Sequence, residues 1–197
     1  MVSVRTYCQI RSNKIYKDGK LVAGFTDLSL DDFLLKAYDH FQLNYPKYYK
    51  MDRQSKLGLL ASEILLKGLD RATNTSVVLS NASSSLDTDI KFWASVKTQA
   101  SPSLFVYTLP NIVAGEICIR NSFKGESIFF ITSQFDAEQT VSYVNIISKE
   151  EQGDCVAGWV EVLNDDTEVF LYLAGQSPNG LPHTTEKISE LYQTWKN

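Results

Sequence analysis

Residues 123–147 read FKGESIFFITSQFDAEQTVSYVNII. This stretch decides the fold. Lys124-Gly125-Glu126 forms a turn, and Ile128, Phe129, Phe130 and Ile131 form a short β-branched and aromatic run suited to a buried strand. Thr132, Ser133 and Asp136 can cap a helix N-terminus. The helix expected over 136–148 carries Ala137, Val141 and Val144 on one side and Tyr143, Ile146 and Ile147 on others. Apolar groups on several sides predict a helix enclosed between layers. A strand running into a helix N-terminus presents free backbone N–H groups and a positive dipole end, a frequent location for catalytic groups.

Working outward, residues 2–10 and 14–16 read as short strands, with a hairpin signal at Lys17-Asp18-Gly19-Lys20. An amphipathic helix follows over 28–43, capped by Ser29, with Asp31 and Asp32 in its first turn and Pro46 beyond its end. A second long helix is expected from Tyr48 through Leu69. Residues 76–79 form a strand, and residues 81–89 a small-polar loop whose Thr88 or Asp89 can cap the next helix. Ile90, Trp93 and Val96 form a helical stripe ended at Ser101-Pro102. In residues 105–120, Pro110 suits a first helical turn, and Ala114 and Gly115 permit a neighbouring backbone to approach. Residues 156–162 and 168–174 are strands joined by the turn Asn164-Asp165-Asp166, and so must pair as an antiparallel hairpin. Earlier strands are separated by helices, which implies parallel βαβ units. A tail over 178–197 ends in a short helix from Glu186 to Trp195.

Several of these segments together resemble the N-terminal half of β-ketoacyl synthases, condensing enzymes of the thiolase-like fold. Lys124-Gly125-Glu126 is similar to a Lys-Gly-Pro turn that leads to a strand, and Thr132-Ser133-Gln134 to a Thr-x-Cys corner. The run from Tyr48 to Leu57 resembles a Phe-x-Lys-Met-Asp-x-x-Ser-x-Leu helix opening. Asn111, Ala114 and Gly115 match an Asn-x-x-Ala-Gly segment. Residues 153–162 are similar to an Asp-containing strand with an Ala-Gly pair that follows the nucleophile helix. Gln134 stands where condensing enzymes have their nucleophilic Cys, and Gln at this place resembles chain-length-factor subunits, the non-condensing partners of ketosynthases.

The resemblance implies one α/β domain over 1–197, half of a thiolase-like fold. Its mixed sheet of about five strands would have helices on both faces and end in the C-terminal antiparallel hairpin. It implies no condensing residue in this chain, and Thr132, Ser133, Gln134, Phe135 and Asn111 as acyl-tunnel or corner residues. Ile128, Phe129, Phe130 and Ile131 become interface residues, because the equivalent strand pairs across a dimer axis. The partner would be a full-length ketosynthase or a second copy, with acyl carrier protein an indirect partner. Polyketide, aryl-polyene or fatty-acid-type biosynthesis is the context. A complete ketosynthase is about twice as long and supplies a His pair or His–Asn pair and a Lys from its second half. This chain has only His40 and His183; Pro182-His183-Thr184 superficially resembles a His-Gly-Thr motif, lacks its glycines and reads as tail.

The chemistry agrees with this reading. Condensation needs a thiolate to carry the acyl chain, and an amide cannot be one. It also needs donors for a developing enolate, which Gln134 alone does not complete. Two other readings stay open: an acyl-thioester transferase or hydrolase using Ser133 or Cys118, and a self-associating acyl-binding module. The sequence carries no phosphate loop, HExxH, CxxC or GxSxG pattern, so no cofactor or metal is expected. Cys8, Cys118 and Cys155 lack ligand spacing and read as reduced core thiols. A net charge of −4 gives no electrostatic reason to expect nucleic acid as a partner. No apolar run is long enough to span a membrane, and a cytoplasmic location is the default expectation.

Overall fold

A computed structural model describes residues 2–150 and 153–194. One sheet holds eight strands: β1 (Val2–Arg11), β2 (Lys14–Lys17), β3 (Lys20–Gly24), β4 (Ser76–Asn81), β5 (Ser127–Ile131), β6 (Cys155–Leu163), β7 (Asp166–Gln176) and β8 (Leu181–Pro182). Their order is β3-β2-β1-β7-β6-β4-β5, with β8 pairing to the start of β1. The helices are α1 (Leu30–His40), α2 (Arg53–Leu65), α3 (Leu86–Val96), α4 (Pro102–Val106), α5 (Ile112–Asn121), α6 (Ala137–Glu150) and α7 (Thr185–Gln193).

The β4–β5 and β4–β6 pairs are parallel. The chain must cross over the sheet to make them, through α3 to α5 in one case and α6 in the other. All other pairs are antiparallel, including the expected β6–β7 hairpin, in which Leu163 faces Asp166 across Asn164-Asp165. The sheet is wider than the five strands expected. The Asp18-Gly19 turn does form a hairpin, but it joins β2 to β3, and Ser12-Asn13 joins β1 to β2. All four turn residues have positive φ, the geometry tight hairpins need. β3 lacks a readable strand signal because it is an outer edge, with Leu21 and Val22 exposed.

β6 and β7 show why the sheet sits in the middle. Val156, Val160 and Val162, with Val169, Leu171 and Leu173, face a large core shared with α1, α2 and α5. Cys155, Ala157 and Trp159, with Phe170, Tyr172 and Ala174, face a smaller core under α6 and α7. This is period-two alternation with both faces buried.

Several boundaries differ from the sequence reading. Residues 46–50 form a 3-10 turn, and the second helix starts only after Asp52, whose side chain caps the Ser55 amide at 3.0 Å. It ends at Leu65 rather than Leu69. Pro110 precedes α5, whose cap position is Asn111. Pro102 opens α4 under a Ser101 cap rather than merely breaking a helix. Gly115 is not a point of close approach, since a Cβ there would meet no neighbouring atom within 4 Å. Gly58 on α2 is: a Cβ there would run into the Val113 side chain on α5. The helix over 137–150 is not enclosed between layers within this chain. It buries one stripe, Ala137, Thr140, Val141, Val144 and Ile147, and Ile146 is 52% exposed. α7 packs beside it, with Ile188 and Leu191 buried in the same core. Trp195, expected in this last helix, lies outside the described residues.

Candidate functional site

The corner after β5 is built by short-range hydrogen bonds. The Thr132 amide donates to Asn81 O at 3.0 Å, continuing the β4–β5 pairing by one residue. Thr132 Oγ1 donates to Gln134 O at 2.8 Å and closes the turn. Phe135 is the residue that turns inward, packing edge-on against Trp159 and Phe170 and close to Tyr192. Asp136 caps α6, its Oδ1 accepting from the Gln139 amide at 2.8 Å. Ser133 and Gln134 are left exposed on the turn, ahead of the helix N-terminus rather than on its first turn.

Two clefts flank this corner. One, of about 590 Å³, is lined by Ser133, Gln134, Ser83, Trp159, Glu161 and Tyr192, among others. The other, of about 340 Å³, lies between residues 132–138 and Thr185 and Ser189 at α7. The floor of the larger cleft is rigidly tied. Glu161 Oε2 accepts from the amides of Ala82 and Ser83 at 2.6 and 3.1 Å, and the Asn81 side chain is bonded to Ser84 in both directions. The small-polar loop after β4 is therefore held by a carboxylate from β6, a role that its sequence does not advertise. On the rim, Arg11 pairs with Glu168 and lies over the Tyr192 ring at 5.9 Å. Partial burial lowers the Arg11 guanidinium to about 10.

The structure brings Thr132, Ser133, Gln134 and Phe135 to one corner, but not Asn111. That residue sits at the N-cap position of α5 without a side-chain capping hydrogen bond, on the sheet face opposite α6. Ile128, Phe129, Phe130 and Ile131 lie on β5, the last strand of the sheet. They are therefore not buried as a central strand within this chain. Ile128 and Phe130 pack toward α6, Phe129 packs toward the large core, and Ile131 is 56% exposed.

The thiols are remote from this chemistry. Cys8 is fully buried, and burial pushes its thiol up to about 12. Cys155 is also buried, and Cys118 on α5 is partly buried with its thiol raised for the same reason. His40 meets Phe25 and Phe41 edge-on. His183 is not the loose tail residue its sequence implies. It is 8% exposed and hydrogen-bonded to Tyr172 Oη and Asn145 Oδ1, each at 3.2 Å, and burial lowers it to about 4. The clue lay in its distance along the chain from those partners, which no local pattern encodes. Among the described residues, no group of three or more His, Cys, Asp or Glu is placed to hold a metal ion, and no helix is long and apolar enough to cross a membrane.

No protein-family model and no curated protein matches this sequence. Solved structures do match it in three dimensions. The ishigamide ketosynthase/chain length factor superposes with a TM-score of 0.67 at 16% identity, covering 91% of this chain and 63% of that one. The ketosynthase (ApeO) in complex with its chain length factor (ApeC) from Xenorhabdus doucetiae gives 0.58 at 11% identity, covering 96% of this chain and 90% of that one. A beta-ketoacyl synthase from Burkholderia phymatum STM815 gives 0.59 at 14% identity, covering 89% and 59%. This chain thus spans less than two thirds of the ishigamide and Burkholderia chains, whereas the chain matched in the ApeO–ApeC complex is only slightly longer than this one. The mixed sheet, the crossover helices and the strand–corner–helix unit at Gln134 together make this a thiolase-like fold of the ketosynthase/chain-length-factor type.

Proposed function

We propose that this chain is a non-condensing, ketosynthase-like subunit that resembles a chain length factor and pairs along β5 with a full ketosynthase in polyketide-type biosynthesis. The observation that carries the reading is the corner itself. Gln134, the residue that the resemblance sets against the condensing Cys, is an exposed amide there, and the described thiols and imidazoles lie elsewhere in the fold. Acyl carrier protein enters as the partner's substrate carrier, and the chain works as one domain. The open β5 edge supports pairing, because an uncovered apolar edge strand is an aggregation liability that a partner strand removes.

The transferase or hydrolase reading is less well supported. Neither described imidazole is placed to activate Ser133, since His183 is buried and bonded to Tyr172 and Asn145 and His40 packs against Phe25 and Phe41, and burial raises the Cys118 thiol. The test is a condensation assay with acyl and malonyl thioesters. The expectation is that neither the isolated protein nor its Gln134→Cys variant forms ketoacyl product. Product from either would overturn the proposal.

A further inference from the structure

Polar atoms enclosed by protein are nearly always hydrogen-bonded, so one that is not asks for a cause. The larger cleft beside the corner has two. Trp159 is 3% exposed, and among the described residues its Nε1 finds no hydrogen-bond partner. Neither does Glu161 Oε1, although Glu161 Oε2 takes the Ala82 and Ser83 amides. Both side chains line the same cleft of about 590 Å³, a size ordinary for small-molecule sites. Positions 159 and 161 are two apart on β6, so they share one face of the sheet. The neighbouring charges are already engaged: Glu168, opposite Glu161 on β7, pairs with Arg11 on β1.

The two atoms are of opposite kind. The indole N–H only donates, and a carboxylate oxygen only accepts. A cation would satisfy Glu161 but cannot accept from Trp159; an anion would accept from Trp159 but meet a carboxylate. A neutral group that accepts and donates satisfies both. Spacing narrows the choice further. Two residues along a strand set the side-chain roots roughly 6–7 Å apart. A single hydroxyl joins partners at most about 6 Å apart, whereas a carboxamide accepts and donates at separate atoms and reaches further. We propose that this cleft binds a small neutral primary carboxamide, its carbonyl accepting from Trp159 Nε1 and its N–H donating to Glu161 Oε1. The apolar part of the ligand rests on Leu163 and Tyr192, which line the same walls. Both polar atoms are closed to bulk water, so the ligand enters by turning aside the exposed Gln134 side chain and the half-buried Tyr192 ring. This goes beyond the proposed function, which gives the cleft no ligand.

Titration of the ¹⁵N-labelled full chain with butyramide, followed by NMR at the indole N–H signals, tests it. Trp159→Phe and Trp93→Phe identify the two signals by their loss. The expected result is a saturable shift of the Trp159 signal with a dissociation constant of about a millimolar, while Trp93, exposed and outside the cleft, does not respond. N,N-Dimethylbutyramide keeps the carbonyl but has no N–H, and should bind roughly 10-fold more weakly, the scale of one hydrogen bond. Glu161→Gln keeps an oxygen for the Ala82 and Ser83 amides and offers the cleft a donor where the acceptor was. It should narrow or reverse the preference between the two amides, whereas a merely structural role for Glu161 would weaken both alike. A Trp159 signal that does not move up to roughly 100 mM butyramide, far above a millimolar constant, overturns the site. Equal binding of the two amides by wild type overturns the paired contact, and these wild-type titrations decide the matter even where Glu161→Gln fails to fold. Ketoacyl product in the condensation assay would sink the proposed function without touching this result.

Discussion

α2 and α6 make an instructive pair. Each carries six apolar side chains in thirteen or fourteen residues, spread around the helix. Yet α2 buries ten of its residues, including Gln54, Ser55 and Ser62, while α6 buries five. The difference lies in the residues between the apolar ones. α2 fills its remaining sides with Gly58, Ser55 and Ser62, small enough for α5 to close against it, and it lies on β1, β6 and β7. α6 has Glu138, Gln139, Ser142, Lys149 and Glu150 on its outer side, which need water. Helical apolar content alone therefore does not fix the layer; the size and charge of the intervening residues do.

The largest effects that separate the two helices come from the α2 core. Leu60→Ala should cost about 2–5 kcal/mol, since Leu60 is fully buried and its neighbours cannot all collapse into the space. Chemical denaturation measures this, and a loss below about 1 kcal/mol would mean that α2 is not the packed centre.

The α6 side carries a pH dependence instead. His183 is neutral when buried, with a folded value of about 4 against 6.5 when free. A lowered histidine stabilises the fold fully above the free value, and that stability is lost as pH falls from about 6.5 toward 4. The loss reaches about 3 kcal/mol by linkage. His183→Gln should flatten this part of the stability curve relative to wild type, and parallel curves for the two proteins between these pH values would refute the buried neutral state.

Gly58→Ala should destabilise by about 1–3 kcal/mol through overpacking against Val113, where a helix-interior Gly→Ala change would otherwise help. A more stable variant would show that α2 and α5 have room to part. At the small end, Ile146→Ser should change the stability of the isolated chain by less than about 0.5 kcal/mol, because Ile146 already faces solvent.

Much of this architecture was legible because local signals agreed. The β6–β7 hairpin followed from two alternating runs a few residues apart, and the start of α6 from the Asp136 cap, whereas Thr132 closes the turn on Gln134 O and Ser133 stays exposed instead of capping. The helix expected over 28–43 forms over Leu30–His40, announced by Ser29, whose side chain accepts from the Asp32 amide. What was hidden depended on partners distant in the chain. β3 is a short, largely exposed edge, Lys20–Gly24, that becomes a strand by pairing with β2. Glu161 holds the loop after β4 from 78 residues away, and His183 finds Asn145 and Tyr172 across the sheet face. The exposure of α3 was invisible for the same reason: Ile90, Trp93 and Val96 have ordinary core spacing, and only the polar anchoring of Asp87 and Thr88 turns them outward.

β5 is where the account can be tested at single atoms. The Val77 amide bonds Glu126 O and the Thr132 amide bonds Asn81 O, so in this parallel pair the amides of Ile128 and Phe130 point to β4. Those of Ser127, Phe129 and Ile131 point to the open edge. A proline at Ile128 would thus damage the fold itself, whereas Phe129→Pro removes an outward donor, with Phe129→Ala as the control that keeps it. Amide hydrogen exchange read by NMR in dilute and concentrated samples separates the two sets directly. If another chain completes the sheet along β5, the Ser127, Phe129 and Ile131 amides become protected by about 100-fold or more on assembly, while Ile128 and Phe130 are protected throughout. Outward amides that exchange at the same fast rate at every concentration, beside protected Ile128 and Phe130, would contradict the account.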